Sequence, residues 1–250
     1  MRVETEGIVL RQSAPVGGRK MVVLFTKKYG KISAGSNSGE RGKNKANLTL
    51  NHFTHVRYQL FKNRDSFNIS SGEVIRSYFS IGEDVDKYMA ASYVLEFTDR
   101  VLGEEEPAPA IFDLIIEFFS EISLRKSRYE TLIIAYQVKI LRVLGVMPAL
   151  DFCAVCGSKE NFKAFSIKDG GVICGKCIES VQNEDNSRLI YDLDFDIIHV
   201  LKYFMKMPLD GFRNLALQGD MLTRVQAVIK AYIQYHLDID KLKSEAFTLE

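Results

Sequence analysis

Met21-Val22-Val23-Leu24-Phe25-Thr26, followed through Tyr29-Gly30-Lys31 by Ile32-Ser33-Ala34-Gly35, is the stretch on which the fold turns. Both runs are short, rich in β-branched and aromatic residues, and joined by a glycine turn, so they read as a pair of strands. Gly7-Ile8-Val9-Leu10-Arg11 supplies a strand before them and His52–Phe61 one after. In the latter, Phe53, His55, Arg57 and Gln59 fall on one face, and Thr54, Val56, Tyr58 and Leu60 on the other. Ser66–Ile75 gives a fifth run, with Gly72 as a bulge or turn. Five short strands in about 75 residues fit a small Greek-key barrel of the OB type.

Charge separates this segment from the rest. Of 250 residues with a net charge of +1, residues 1–80 hold 14 Lys+Arg against 5 Asp+Glu, and residues 81–250 hold 19 against 27. A basic first module joined to an acidic remainder points to a polyanion as the partner of the barrel. Ser36-Asn37-Ser38-Gly39-Glu40-Arg41-Gly42-Lys43-Asn44-Lys45 reads as a basic loop between the third and fourth strands. The apolar runs are far shorter than the roughly 18 residues of a membrane span, and Met1–Glu6 lacks the apolar core of a signal peptide. A cytoplasmic, nucleoid-associated protein with no membrane partner is expected.

From Asp84 the apolar period changes from 2 to 3.6. Tyr88, Ala91, Leu95, Thr98 and Leu102 mark one face of a helix ending at Gly103. Ile111, Leu114, Ile115, Phe118, Phe119 and Ile122 mark a second helix, and Tyr129, Leu132, Ile133, Tyr136, Ile140 and Leu144 a third that stops at Gly145. The same period resumes at Phe195–Met207 and Met221–Leu237. The pattern predicts a helical bundle interrupted by an insert, with domains at 1–80, 81–149, 150–182 (the insert) and 183–250. The class is α+β and multidomain.

All four cysteines lie in the insert, as Cys153-Ala154-Val155-Cys156 and Cys174-Gly175-Lys176-Cys177 with 17 residues between. Two C-x2-C knuckles at this spacing are the zinc-ribbon pattern, each turn offering two thiolates to one tetrahedral ion. Phe162–Ile173, with Asp169-Gly170-Gly171 at its turn, suits the hairpin that brings the knuckles together. Four thiolates close the coordination sphere, so one structural Zn2+ is expected. Paired disulfides suit an exported chain, and neither knuckle opens the βαβ unit of a thioredoxin-like pair.

No constellation for catalysis is present, and an enzyme is not expected. Gly39–Asn44 and Gly30–Ser33 fall short of a P-loop, and Val16-Gly17-Gly18-Arg19 lacks the dinucleotide fingerprint. His52 and His55 are three apart on a strand and face opposite sides, and His199 and His236 belong to no ligand motif. Asp192, Asp194 and Asp196 read as a solvated helix start.

The barrel reads as a surface for single strands, which such folds bind with a basic groove and aromatic platforms. Arg11, Arg19, Lys20, Lys27, Lys28, Lys31, Arg41, Lys43, Lys45, Arg57, Lys62 and Arg64 supply the field, interleaved with Phe25, Tyr29, Phe53, Tyr58 and Phe61. Tyr29 and Tyr58 are the expected exposed platforms. Neutralising about five phosphates of a single strand would give a salt slope of roughly −3.5.

The order of these parts resembles the bacterial RecO recombination mediators. The likeness is carried by the Gly-Ile-Val-Leu strand, Leu24-Phe25-Thr26 with Gly30-Lys31, Tyr93-Val94-Leu95-Glu96 and Glu106-Pro107-Ala108-Pro109. It continues in Leu141–Pro148, Asp151–Gly157 and Gly170–Cys177. The chain departs from the family at Ala14–Lys20, where an acidic Glu-Ser-Asp-like segment is usual, and in a loop richer in Ser, Asn and Gly than the usual Lys-Gly-Ala-Arg-Arg run. The resemblance implies a non-enzymatic role in DNA repair and recombination. It implies binding of single- and double-stranded DNA, annealing of complementary strands, and action with RecR to load RecA onto strands coated by single-strand binding protein. It also implies contact with the acidic C-terminal tail of that binding protein, for which Lys139 and Arg142 on the third helix offer cations. The residues alone leave two other readings open: a zinc-ribbon, OB-type RNA-binding protein of transcription or translation, and an adaptor gripping an acidic protein.

Overall fold

A computed structural model describes residues 1–13, 20–36, 48–64, 66–184, 190–192, 195–213 and 215–244. Five strands, β1 (Arg2–Gln12), β2 (Lys20–Thr26), β3 (Gly30–Ser36), β4 (Thr54–Lys62) and β5 (Phe67–Ser77), close into a barrel in the order β1-β2-β3-β5-β4. Every pairing is antiparallel except β3 with β5. The barrel is of the OB type. Its interior is filled by one face of each strand, including Val9, Val22, Leu24, Ile32, Val56, Tyr58, Leu60 and Phe67.

Tyr58 therefore corrects the sequence reading, which exposed it. Its ring is fully buried, and its hydroxyl donates to the Thr49 carbonyl. A buried tyrosine needs such a partner, and burial pushes its ionisation upward. Gly7 makes the room, because a Cβ there would stand 3.1 Å from the Tyr58 ring. Tyr29 is half-buried, tilted against Phe67 at 5.7 Å. Of the five interleaved aromatics, Phe61 is the exposed one.

The outer face of the barrel is dry over part of its area because two helices cover it. Helix α1 (Val85–Val101) starts at Asp84, whose carboxylate accepts from the Lys87 backbone N–H at 3.1 Å. Helix α2 (Pro109–Leu124) opens with proline in its first turn. Its Phe112 meets Phe25 at 5.4 Å and His55 at 5.6 Å, while Phe119 meets Phe53 and Tyr78, each at 5.6 Å. The connection between the helices is fixed to β3, where the Glu105 N–H donates to the Lys31 carbonyl at 2.9 Å. Gly30 has φ +66°, and a Cβ on it would collide with the Glu106 carbonyl, so only glycine fits. These elements form one compact unit, Met1–Tyr129 together with Leu242–Glu250.

Two histidines of this unit contribute to its acid sensitivity. Burial lowers the His55 pKa below 6.5 despite the Glu6 carboxylate at 3.0 Å, and burial likewise lowers His52, outweighing its contact with the Val9 carbonyl. The unfolded chain then takes up protons near pH 6.5 and the folded chain only below it. Their stabilising contribution is full above about pH 6.5 and declines as pH falls toward the lower folded values. Urea midpoints measured between about pH 7.5 and pH 5.5 should fall on acidification, and His55→Gln should flatten that dependence. A midpoint independent of pH in the parent chain would contradict the assignment.

The second unit, Glu130–Lys241, holds the remaining elements. Helix α3 (Tyr129–Val143) ends before Gly145, which has φ +72°. A hairpin of β6 (Phe162–Ser166) and β7 (Gly171–Cys174) is joined on the β6 edge by β8 (Ile190–Asp192). Helices α4 (Ile178–Glu184), α5 (Phe195–Lys206) and α6 (Gly219–Leu237) complete it. The hairpin is held at its turn by α6, where His236 Nε2 lies 2.7 Å from the Ile167 carbonyl and Tyr232 packs on Phe165 at 5.9 Å. Among the described residues no helix is long and apolar enough to cross a membrane. Asp194 and the side chains of Asp192 and Asp196 lie outside the described residues.

Candidate metal centre and basic surface

The cysteine site is assembled by two backbone turns and the β6–β7 hairpin. In the first knuckle the Gly157 N–H donates to the Cys153 carbonyl at 2.8 Å, with Gly157 at φ +75°, and the Cys153 N–H donates to the Ser158 carbonyl at 2.7 Å. In the second, the Cys177 N–H returns to the Cys174 carbonyl at 3.0 Å. The Cys174 N–H points at Cys153 Sγ, 3.4 Å away. All four sulfurs lie within 4.8 Å of one another, and Cys156 and Cys174 are 3.6 Å apart. The fold thus gathers Cys153, Cys156, Cys174 and Cys177 into one cluster, as their spacing predicts.

The donor set fits a tetrahedral dication. Thiolates at about 2.3 Å from an ion sit about 3.8 Å from each other, close to the separation present, whereas a disulfide needs about 2.0 Å. Electrostatics points the same way. Burial acts to raise the Cys153 thiol, but the N–H groups of Cys156, Cys174 and Val155 outweigh it and hold the thiol at about 6. Cys177 goes the other way, pushed up to about 12 by its hydrogen bond to Cys156 and by desolvation. Four adjacent sulfurs do not all ionise without a cation among them. The cluster can hold a metal ion. The buried apolar set beside the sulfurs is Cys153, Ile173, Cys174 and Val181, with Ala154, Phe162, Ile178 and Ile190 partly buried against it.

The basic residues of the barrel are dispersed by their partners. Lys31 is a second correction: it is buried, its ammonium 3.5 Å from the Asp99 carboxylate, 3.2 Å from Glu104 and 2.9 Å from the Asp99 carbonyl. It braces β3 against α1 and presents no charge to solvent. Arg11 also pairs with Asp99, at 2.7 Å, yet stays largely exposed. Lys27 pairs with Asp113 at 2.7 Å, which raises its pKa. Arg57 lies 3.0 Å from Glu73 and 4.0 Å from Glu4, so the outer surface of β1, β4 and β5 is charge-balanced there. Lys62 sits over the rings of Tyr29 and Phe67 at 5.5 and 5.2 Å. Lys28 is exposed and donates to the Glu4 carbonyl at 3.0 Å. Lys20 and Arg64 have no ion pair among the described residues, while Arg19, Arg41, Lys43 and Lys45 lie outside those residues.

Of the two helical cations, Arg142 donates to the Met205 carbonyl at 2.8 Å from an exposed position, and Lys139 is half-buried. Sequence reading passed over Tyr88, which it assigned to the core. Tyr88 is about half exposed, its ring set edge-to-face against Phe53 at 5.7 Å. The signal for it was present in the helix itself, since Tyr88 lies one turn from the exposed start at Val85.

Comparison with known proteins agrees along the whole length. A family model described as recombination protein O N terminal matches residues 1–78, and one described as recombination protein O C terminal matches residues 82–246. The chain is 29% identical over 245 residues to the DNA repair protein RecO of Thermoanaerobacter sp. (strain X514), covering 98% of this chain and 96% of that one. It is 27% identical over 248 residues to its counterpart in Caldanaerobacter subterraneus, covering 99% and 98%. Against that of Listeria monocytogenes serotype 4a the figures are 28% over 247 residues, 98% and 93%.

Proposed function

The chain belongs to the RecO family of DNA repair proteins, and from that premise we propose that it is a non-enzymatic recombination mediator. In this reading it binds single- and double-stranded DNA, anneals complementary strands, and with RecR helps load RecA onto DNA coated by single-strand binding protein. The observation that carries it is the pairing of both family matches with a closed OB-type barrel in the basic first 80 residues. DNA contact is assigned to the exposed cations Lys28 and Arg64 and the half-buried Lys20, to Arg11, Lys27, Arg57 and Lys62 with Tyr29 and Phe61 beside them, and to Arg19, Arg41, Lys43 and Lys45. Phosphate contacts of this kind carry no sequence information, so binding is salt-sensitive and non-specific. Lys139 and Arg142 are assigned to the acidic tail of the binding protein. Residues 1–80, 81–149, 150–182 and 183–250 are the proposed functional divisions, and the site of action is the cytoplasmic nucleoid.

The cysteine cluster is assigned one structural Zn2+ ion held by Cys153, Cys156, Cys174 and Cys177. A closed thiolate sphere leaves no position for substrate, so its chemistry is cross-linking of the chain.

The test is annealing of complementary oligonucleotides, each coated with the organism's own single-strand binding protein. Fast annealing is expected, and changing Lys20, Lys28, Arg41, Lys43, Lys45 and Arg64 together to Ala should abolish it. The salt slope of single-strand binding should flatten by about 0.7 for each phosphate that is no longer neutralised. No acceleration by the folded, metal-loaded protein would overturn the reading. Tighter binding to RNA than to matched DNA would point to the 2′-hydroxyl as the recognised group and overturn it as well.

A further inference from the structure

In the first unit a cleft of about 630 Å3 opens between the C-terminal end of β1 and helix α1. Leu10 and Leu95, both buried, line it together with the half-exposed ring of Tyr88. Its two acids are already engaged. Asp99 accepts from Arg11 and Lys31. Glu96 accepts from the backbone N–H groups of Lys243 and Ser244, each at 2.9 Å, and from the Ser244 hydroxyl at 2.7 Å. Those bonds outweigh burial and hold the Glu96 carboxyl below its ordinary range, so it stays an acceptor for the backbone. Arg100 and Lys243, on the same cleft, are exposed and have no ion pair among the described residues. The lining is thus positive, with Arg100 and Lys243, whose charge also acts on Glu96, at one end and an aromatic face at the other.

The dimensions narrow the ligand. Tyr88 and Asp99 are eleven residues apart on α1, a rise of about 16 Å at 1.5 Å per residue. A single small anion would fill little of that length. A chain bearing both aromatic faces and regularly spaced negative charge matches it end to end. A duplex stacks its bases on one another and has no face to offer Tyr88, whereas an unpaired strand does. We propose that this cleft is a subsite for a short stretch of single-stranded nucleic acid, one base stacked on Tyr88 and neighbouring phosphates held by Arg100 and Lys243. Glu96 is a positioning residue that fixes the Lys243 segment on the rim. The subsite rests on the DNA-binding reading above and extends the barrel's path onto α1.

The experiment is photocross-linking of the full chain to single strands carrying 5-iododeoxyuridine, which couples to a stacked aromatic ring. After trypsin, the expected adduct lies on the peptide Tyr88–Arg100, with fragmentation placing it on Tyr88 and not Tyr93. Tyr88→Ala should remove the adduct and weaken single-strand binding about five- to a hundredfold, the effect of removing one stacked base, while leaving duplex binding nearly unchanged. Tyr88→Phe, which keeps the ring, should retain both adduct and affinity. Arg100→Gln should lower the salt slope by about 0.7. DNA binding with adducts confined to other peptides would overturn the subsite and leave the DNA-binding reading standing. Absence of DNA binding altogether would overturn both. Protection of Arg100 and Lys243 by an acidic peptide, with no DNA adduct on α1, would give the cleft to a protein partner and overturn the subsite.

Discussion

Removal of the Zn2+ assigned to the cysteine cluster is expected to unfold the two knuckles of the second unit while the barrel remains folded. Binding of zinc to such thiolate sets is worth roughly 10–16 kcal/mol near neutral pH, as much as the whole stability of an ordinary domain at about 5–15 kcal/mol. The knuckles themselves rest on a small buried set, Cys153, Ile173, Cys174 and Val181, while the hairpin turn keeps its packing on α6 through Phe165 and Tyr232. Chelation of the purified protein, or Cys174→Ala, should therefore open residues around the two knuckles to protease and lower the thermal midpoint. Equimolar Zn2+ should restore the chelated protein and not the Cys174→Ala variant. Native mass spectrometry showing no bound metal, with an unchanged transition after chelation, would refute the assignment.

The second large effect concerns the ion pair between barrel and α1. Asp99→Ala leaves the Lys31 ammonium, whose side chain is 10% exposed, with the main-chain carbonyl of residue 99 and the exposed Glu104 as its remaining partners. Leaving a buried charge wholly unpaired costs about 3–5 kcal/mol, and because Lys31 keeps Glu104 at 3.2 Å the loss should fall below that range. Lys31→Met is expected to cost much less, because Asp99 keeps Arg11 at 2.7 Å and the new side chain is apolar. Urea unfolding of the two variants should separate them in this order. Equal destabilisation would mean that Lys31 matters by packing alone.

Lys31 also shows where reading the sequence stops. It stands among basic residues, and nothing local marks it as buried, because its partner Asp99 comes 68 residues later. The barrel itself was legible: period-2 runs separated by turns place the strands to within a few residues, since alternate burial is a local property. Which of two alternate faces is the interior was not. On β4 the residues Thr54, His55 and Val56 are all buried, because Phe112 and Phe119 of α2 cover the outer side. Alternation is erased there and resumes from Arg57 to Phe61, where Tyr58, expected outside, lies inside with Val56 and Leu60. The cysteine knuckles were legible for the opposite reason, since coordination fixes both residue type and spacing. The helices showed their apolar stripes but not their partners. A stripe states that a face is covered and not by what, so the grouping of α1 and α2 with the barrel and of α3, α5 and α6 with the hairpin had to come from the structure.

Leu242–Ser244 belong to the first unit, where Leu242 is buried and Glu96 receives the backbone N–H groups of Lys243 and Ser244. On the ribosome those residues emerge after the whole of the second unit. The barrel can close once β5 is made, but the wall around Glu96 is finished only after the second unit has been made, whatever the order in which the rest folds. A nascent or truncated chain lacking Leu242–Ser244 would carry a bare Glu96 carboxylate in that cleft, so the charge the cleft displays depends on residues made long after its other walls.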